Sequence, residues 1–195
     1  NHPKKSLEFL ETSYRAGIDA HAYVPAAMAV SRIVAVGYVT GEVLESVLLE
    51  IEESFSFVKS VNYPDAFRCL SFTRQMIYSL MGKTNALGDF NDDGFREILH
   101  AKKMRNDPGI SFSLPWYYFL KMQAFYFSGI YAEALACAEK AEEVLESVCC
   151  GILEAEYGFY YCLVLAALYP AAPDSEKRTY RRILKGQLKA FEKRI

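Results

Sequence analysis

Histidine and cysteine are too few and too scattered in this sequence to form a recognisable metal site. The three histidines, His2, His21 and His100, stand alone, and the five cysteines show no ligand spacing. A zinc site needs several such residues at short, regular intervals. The adjacent pair Cys149 and Cys150 in an odd total also differs from the framework of a secreted disulfide protein. We therefore predict no metal, no cofactor and no catalytic residue, with the cysteines acting as small apolar side chains in a reducing cytoplasm.

Hydrophobic runs long enough to cross a membrane are also lacking. The longest runs cover residues 157–169 and residues 24–29, the latter extended by residues 33–38. A spanning helix needs about 20 apolar residues, so these runs predict buried core helices and no membrane contact. No signal peptide is visible. The chain begins with Asn1 rather than Met and ends in a charged segment, which we interpret as a single helical domain, residues 1–195, cut from a longer protein.

A strong excess of one charge is absent too, since the net charge is −2. This gives no general reason to expect a nucleic-acid partner. The charges are nevertheless uneven: 14 basic residues stand against 22 acidic ones before Ser175, and eight against two from Ser175 onward. The basic residues of the last segment share one helical face, which we interpret as a solvated outer surface.

Strand signals are almost missing, and helical periodicity dominates instead. Turn residues at Gly17 to Asp19, Gly41, Gly88, Gly129 and Pro170 to Asp174 separate the helical patterns, and from Gly41 onward they lie 41 to 47 residues apart. The pattern predicts nine helices, at residues 4–16, 20–38, 42–60, 64–81, 92–104, 113–127, 131–149, 153–169 and 175–194. A period in the forties with helix–turn–helix content is typical of a solenoid. The predicted fold is all-α, an antiparallel helical-hairpin solenoid of tetratricopeptide-like type.

The third hairpin shows the repeat pattern best. Its first helix is rich in aromatic residues, and its second carries Ala134, Ala138 and Ala141 at spacings of four and three. Small residues at this spacing allow a close approach to a bulky neighbouring helix. The match to a tetratricopeptide unit is partial, since Lys121, Met122 and Glu146 stand where leucine, glycine and proline are usual.

Two short motifs resemble ligand-binding loops without completing them. Residues 82–84, Gly-Lys-Thr, end like a phosphate-binding loop, but Ile77 stands where that loop needs a glycine. Residues 89–94 match the start of a calcium-binding loop, but His100 replaces the closing bidentate glutamate. We predict a helix C-terminus at Gly82 and a turn with a helix cap at Asp89, which should not bind calcium usefully.

Several strings of the sequence resemble one protein family. They are RQ at residues 74–75, LMG at 80–82, LGDF at 87–90, FYFSGIYAEA at 125–134 and FYYCL at 159–163. They are similar to the tetratricopeptide-like region of large bacterial multidomain signalling proteins. In that family a Ser/Thr-kinase-like domain and an AAA-like signal-transduction ATPase precede this region, and GAF and histidine-kinase output domains follow it. The kinase and ATPase motifs themselves are absent from this chain.

The resemblance implies a non-catalytic segment for protein interaction or ligand sensing, in which a protein, a peptide or other domains of the same chain bind a concave groove. From the repeat positions, the first helices of successive hairpins should present six residues to that groove: Arg74, Gln75, Tyr78, Phe119, Gln123 and Tyr126. Pairing of Arg74 with a neighbouring glutamate is an alternative role for that residue. The alternatives for the whole chain are a stand-alone peptide-binding adaptor and a helical enzyme with an unrecognised site.

Overall fold

The computed structural model describes residues 3–105, 112–145 and 151–193. Within these ranges the chain forms nine α-helices and no strand, so the predicted all-α fold is confirmed. The helices are α1 Pro3–Asp19, α2 Tyr23–Val39, α3 Leu44–Val61, α4 Pro64–Leu80, α5 Glu97–Arg105, α6 Ser113–Phe127, α7 Tyr131–Leu145, α8 Gly151–Leu168 and α9 Asp174–Glu192, with a 3₁₀ turn at Tyr169–Ala171. His2, Glu146, Cys149, Cys150 and the predicted ends of α7 and α9 lie outside the described residues.

Eight of the nine helices follow the prediction closely, and α5 begins five residues later than predicted. Asp92 does not open the helix, because its Oδ1 accepts hydrogen bonds from the backbone N–H groups of Gly94 and Phe95, both at 2.7 Å. A short carboxylate that bonds its own backbone in this way favours a turn over a helix. Residues 81–96 therefore form a long insertion between α4 and α5.

The glycine turns behave as predicted at α6. Gly129 follows the last turn of the helix with φ +72°. The N–H of Ile130 donates to the carbonyl of Phe125 at 2.9 Å, and the N–H of Gly129 donates to that of Tyr126. These two bonds define a Schellman ending, whose left-handed residue favours glycine. Gly41 and Gly82 also have positive φ after α2 and α4, so the predicted helix end at Gly82 is confirmed.

The turn predicted at Gly17 to Asp19 lies after Asp19 instead. Gly17 belongs to α1, where a Cβ atom would come within 3.0 Å of the Ala26 side chain on α2. The left-handed residue after α1 is His21, with φ 56°. Gly17 is therefore a packing glycine, and a histidine occupies the position that glycine fills after α2, α4 and α6.

The left-handed backbone conformation of His21 leads to a prediction about stability. Changing His21→Gly should raise the free energy of unfolding by about 1 kcal/mol, because the left-handed backbone conformation is strained for a residue with a Cβ atom. Urea denaturation of the two chains measures the difference. The matched change Gly129→Ala should act in the opposite direction, and a His21→Gly chain with an unchanged or lower midpoint would contradict the assignment.

Neighbouring helices pack as hairpins. α1 lies against α2, α2 against α3, α6 against α7 and α8 against α9. Turns of three residues join α1 to α2 and α6 to α7, which makes each of these pairs antiparallel. The predicted pairing of α4 with α5 is looser, because the insertion separates them and the backbone of α5 lies closer to α6 than to α4.

The first helices of the hairpins, α2, α4, α6 and α8, form a row in which each contacts the next, and α2 also contacts α8. α2 is buried on most of its surface, from Ala26 to Gly37, and contributes to both apolar clusters of the core. Trp116 of α6 is fully buried, and its indole N–H donates to the Thr73 hydroxyl of α4 at 2.9 Å. The contact between the two ends of the row positions the candidate site.

Among the helices that the structure describes, none is both long and apolar enough to cross a bilayer.

Candidate functional site

A groove of about 340 Å³ opens where α2, α4, α6 and α8 converge. The end of α2 contributes to it, together with the last residue of α4, the C-terminal half of α6 and the middle of α8. The lining residues are Tyr38, Val39, Gly41, Leu80, Gln123, Phe127, Glu156 and Tyr160. None of them is basic, and the groove thus combines aromatic rings, one amide and one carboxylate.

A long-range hydrogen bond fixes one wall of the groove. The Tyr38 hydroxyl of α2 donates to the Gln123 Oε1 of α6 at 3.0 Å. The Tyr38 ring also meets the Trp116 ring edge-on, with 6.1 Å between the ring centres. Since Trp116 is held in the core by Thr73, Tyr38 and Gln123 are in place before any ligand binds. Pre-arranged polar groups in an apolar setting are typical of binding sites.

Glu156 carries the negative charge of the groove. Its side chain is half-buried, and within the described part of the chain no hydrogen-bond donor or cation pairs with it. Burial raises the pKa of this carboxyl above its usual value. Burial also raises the pKa of Tyr160 and Tyr38, and the charge of Glu156 raises both further. The three side chains therefore share one electrostatic environment that lacks a compensating positive charge.

Three helix C-termini add to this negative environment. α2 ends at Val39, α4 at Leu80 and α6 at Phe127, and all three residues line the groove. The aligned peptide dipoles of a helix place a partial negative charge at its C-terminus. N–H groups of the following turns offset part of this charge by bonding to the last carbonyls of all three helices. The groove is consequently suited to a cation rather than to an anion.

Three of the six predicted groove residues lie around Tyr160. Gln123 lines the groove directly. The rings of Phe119 and Tyr126 each lie 6.1 Å from the ring of Tyr160, nearly perpendicular to it. Phe119 is buried beneath this ring, and Tyr126 is partly exposed beside it.

The other three predicted residues lie away from the groove. Arg74 pairs with Glu52 of α3 at 3.2 Å, which is the alternative role that the sequence suggested, and its guanidinium lies 4.8 Å from the centre of the Phe55 ring. Gln75 is fully buried and donates to Asp92 of the insertion at 2.7 Å. Tyr78 lies beside Arg74 and Lys83. These positions of α4 turn towards α3 and the insertion, so the six residues do not form one surface.

The repeat positions missed every lining residue except Gln123, among them the polar side chains of Tyr38, Glu156 and Tyr160. Only weak signals point to these polar residues: a tyrosine near the end of an apolar helix, and a glutamate just before the apolar run of α8. Their assembly depends on the contact between α2 and α8, more than a hundred residues apart in sequence.

The loop at residues 89–94, which resembles the start of a calcium-binding loop, uses its side chains to stabilise its own turn. In the insertion, the Asp89 Oδ1 accepts from the N–H of Asn91 at 2.9 Å, and the Asp92 carboxylate accepts from Gly94, Phe95 and Gln75. Burial raises the pKa of both carboxyls, but these hydrogen bonds outweigh it and leave each pKa below its usual value. Asp89, the first residue of the calcium-loop pattern, is thus engaged in the turn. That this loop does not bind calcium usefully stays a prediction.

Potential chemical sites elsewhere in the described residues are few. No group of three or more His, Cys, Asp or Glu residues there is arranged to hold a metal ion. Burial raises the pKa of the Cys137 thiol to about 11 and also raises that of Cys162. A raised pKa keeps a thiol protonated and hence a weak nucleophile.

Comparison with family models, with curated proteins and with solved structures gives no match. The resemblance to bacterial signalling proteins therefore depends on the sequence strings alone.

Proposed function

We propose that this chain is a non-catalytic interaction or sensing segment of a cytoplasmic bacterial signal-transduction ATPase or kinase. Its partner is a protein or peptide, or another domain of the same chain, and it binds in the groove between α2, α6 and α8. The observation that supports this proposal is the arrangement of Tyr38, Gln123, Glu156 and Tyr160 in one groove, where a hydrogen bond joins two residues that lie 85 positions apart in sequence.

The mechanism that we propose uses the two ends of the helix row. An occupant of the groove would contact α2 at one end of the row and α8 at the other. Its binding would favour whichever spacing of these helices gives the better contacts. A change in that spacing would reach the second helix of each hairpin, and through it a neighbouring domain, as a small sliding of packed helices. The tetratricopeptide-like solenoid is part of this proposal.

Site-specific photo-crosslinking in the native host tests it. Phe127 lies on the rim of the groove and is 44% exposed, whereas Leu188 of α9 is 58% exposed and does not line it. Each is replaced in turn by p-benzoylphenylalanine in the naturally expressed protein. We expect a discrete covalent adduct from position 127 and none from position 188. Equal labelling at both positions, or none at 127, would contradict the proposal.

A further inference from the structure

We infer that the occupant of the groove is a peptide segment that places an arginine side chain against Glu156. This inference deepens the proposed binding function and depends on it. Four features of the groove support it: an unpaired carboxylate, three converging helix C-termini, aromatic walls and a small volume.

The first feature is the isolation of Glu156. Its carboxylate lies half-buried in the wall of the cavity, and no described residue donates to it or neutralises it. The lining contains no lysine or arginine. An ionised carboxylate that is partly removed from water is stabilised by a cation with matching donors. The groove therefore has a charge that its occupant can complement.

The second feature is the set of helix ends. α2, α4 and α6 all terminate at residues that line the groove. The dipoles of these helices place partial negative charge at these ends, which disfavours a second anion. A carboxylate-bearing or phosphorylated ligand is consequently a poor occupant.

The third feature separates arginine from other cations. Tyr38, Phe127 and Tyr160 contribute rings to the walls, and Phe127 meets Tyr160 edge-on at 5.8 Å. A planar guanidinium stacks on aromatic faces and forms two parallel hydrogen bonds to one carboxylate, whereas an ammonium group is a compact and strongly hydrated point charge. Aromatic walls beside one carboxylate thus favour arginine over lysine.

The fourth feature is size. A volume of about 340 Å³ is at the lower end of the range for ligand pockets. It accommodates one long side chain with some backbone. The occupant is accordingly an extended segment with one anchoring side chain.

The test uses fluorescent pentapeptides with the 195-residue chain. The probes carry arginine, lysine or citrulline between alanines, with both ends blocked. Citrulline keeps the shape of arginine without its charge. Fluorescence anisotropy should show the arginine peptide binding about tenfold more tightly than the citrulline peptide, with lysine between them. Added salt should weaken the arginine peptide most.

Variants make the assignment specific. Glu156→Gln should reduce binding of the arginine peptide about tenfold, and its melting temperature should not fall, since the carboxylate has no partner to lose. Glu143→Gln removes the same charge from the exposed side of α7 and should leave binding unchanged. Equal binding of the arginine and citrulline peptides, or of wild type and Glu156→Gln, would overturn the inference.

Other occupants give distinct results. Free argininamide that binds as tightly as the peptide would identify a small cation instead of a peptide segment. Self-association that Glu156→Gln abolishes would identify a second copy of the chain. Either result overturns the peptide assignment. If position 127 forms crosslinks but the peptides show no preference for arginine, the proposed binding function stands and only the arginine assignment is rejected. If neither crosslinks nor an arginine preference is found, both the binding function and the arginine assignment are rejected.

Discussion

Replacing Glu97 with glutamine should lower the free energy of unfolding by about 3 kcal/mol. Glu97 and Lys121 form an ion pair at 3.0 Å, and both side chains are largely buried, with exposed fractions of 13% and 8%. Removing one charge of a buried pair leaves the other without compensation, which is more damaging than the loss of a surface pair. Glu97 also accepts from the Tyr117 hydroxyl at 2.7 Å and from the N–H of Phe90 at 3.3 Å.

Urea denaturation of matched variants isolates the ion pair. Glu142→Gln removes a carboxylate from the exposed surface of α7 and should change stability by less than about 0.5 kcal/mol. The double variant Glu97→Gln with Lys121→Met should be more stable than the sum of the two single changes indicates, because it leaves no unpaired charge. Additive effects, or a loss below about 1 kcal/mol for Glu97→Gln, would show that the pair is not a stabilising contact.

The position of this pair explains a departure from the repeat pattern. Lys121 stands where a tetratricopeptide unit usually has leucine, and its ammonium lies between the rings of Phe90 and Phe125, at 4.6 and 4.5 Å. It also donates to the carbonyl of Gly88. Lys121 therefore holds the insertion against α6. A repeat without an insertion needs no such contact, and leucine suffices at this position.

Changing Ala138→Leu should lower the free energy of unfolding by about 2 kcal/mol. Ala134, Ala138 and Ala141 are all fully buried in the same cluster as Trp116 and Leu120. Tyr157 of α8 belongs to the same cluster, and its hydroxyl donates to the carbonyl of Ala138 at 2.9 Å. Three additional carbon atoms at position 138 have no space without displacing these neighbours.

The control is another alanine of the same helix. Ala132 is exposed, so Ala132→Leu should leave the melting temperature nearly unchanged. Thermal unfolding followed by circular dichroism at the helical minimum measures both variants. A destabilised Ala132→Leu with an unaffected Ala138→Leu would show that α7 presents the opposite face to α6.

The helices could be predicted because their signals are local. Apolar periodicity and left-handed glycines such as Gly41 and Gly129 depend on a few neighbouring residues, and the predicted and observed bounds agree within a few residues for most helices. α5 was placed too early because the Asp92 carboxylate competes for backbone N–H groups in a turn. Gly17 was interpreted as a turn because its actual role, close contact with Ala26, is visible only in three dimensions.

The groove could be predicted only in part. The repeat positions identified Gln123, since α6 presents one face to its neighbours in the row. They could not identify Glu156 or Tyr38, because these residues meet only when α2 and α8 approach each other. Arg74 and Gln75 were assigned to the groove for being polar in an apolar helix, but each has a partner on another element, Glu52 and Asp92.

The measurement that tests the central claim most directly is a residue-resolved NMR titration of the chain with the arginine pentapeptide. If the groove is the binding site, the largest shifts should occur at Tyr38, Gln123, Glu156 and Tyr160, and the indole N–H of Trp116 should move with them because its ring contacts Tyr38. Glu156→Gln should weaken these shifts together. Shifts concentrated on the exposed faces of α3 or α7, with the groove residues unmoved at saturation, would contradict the account.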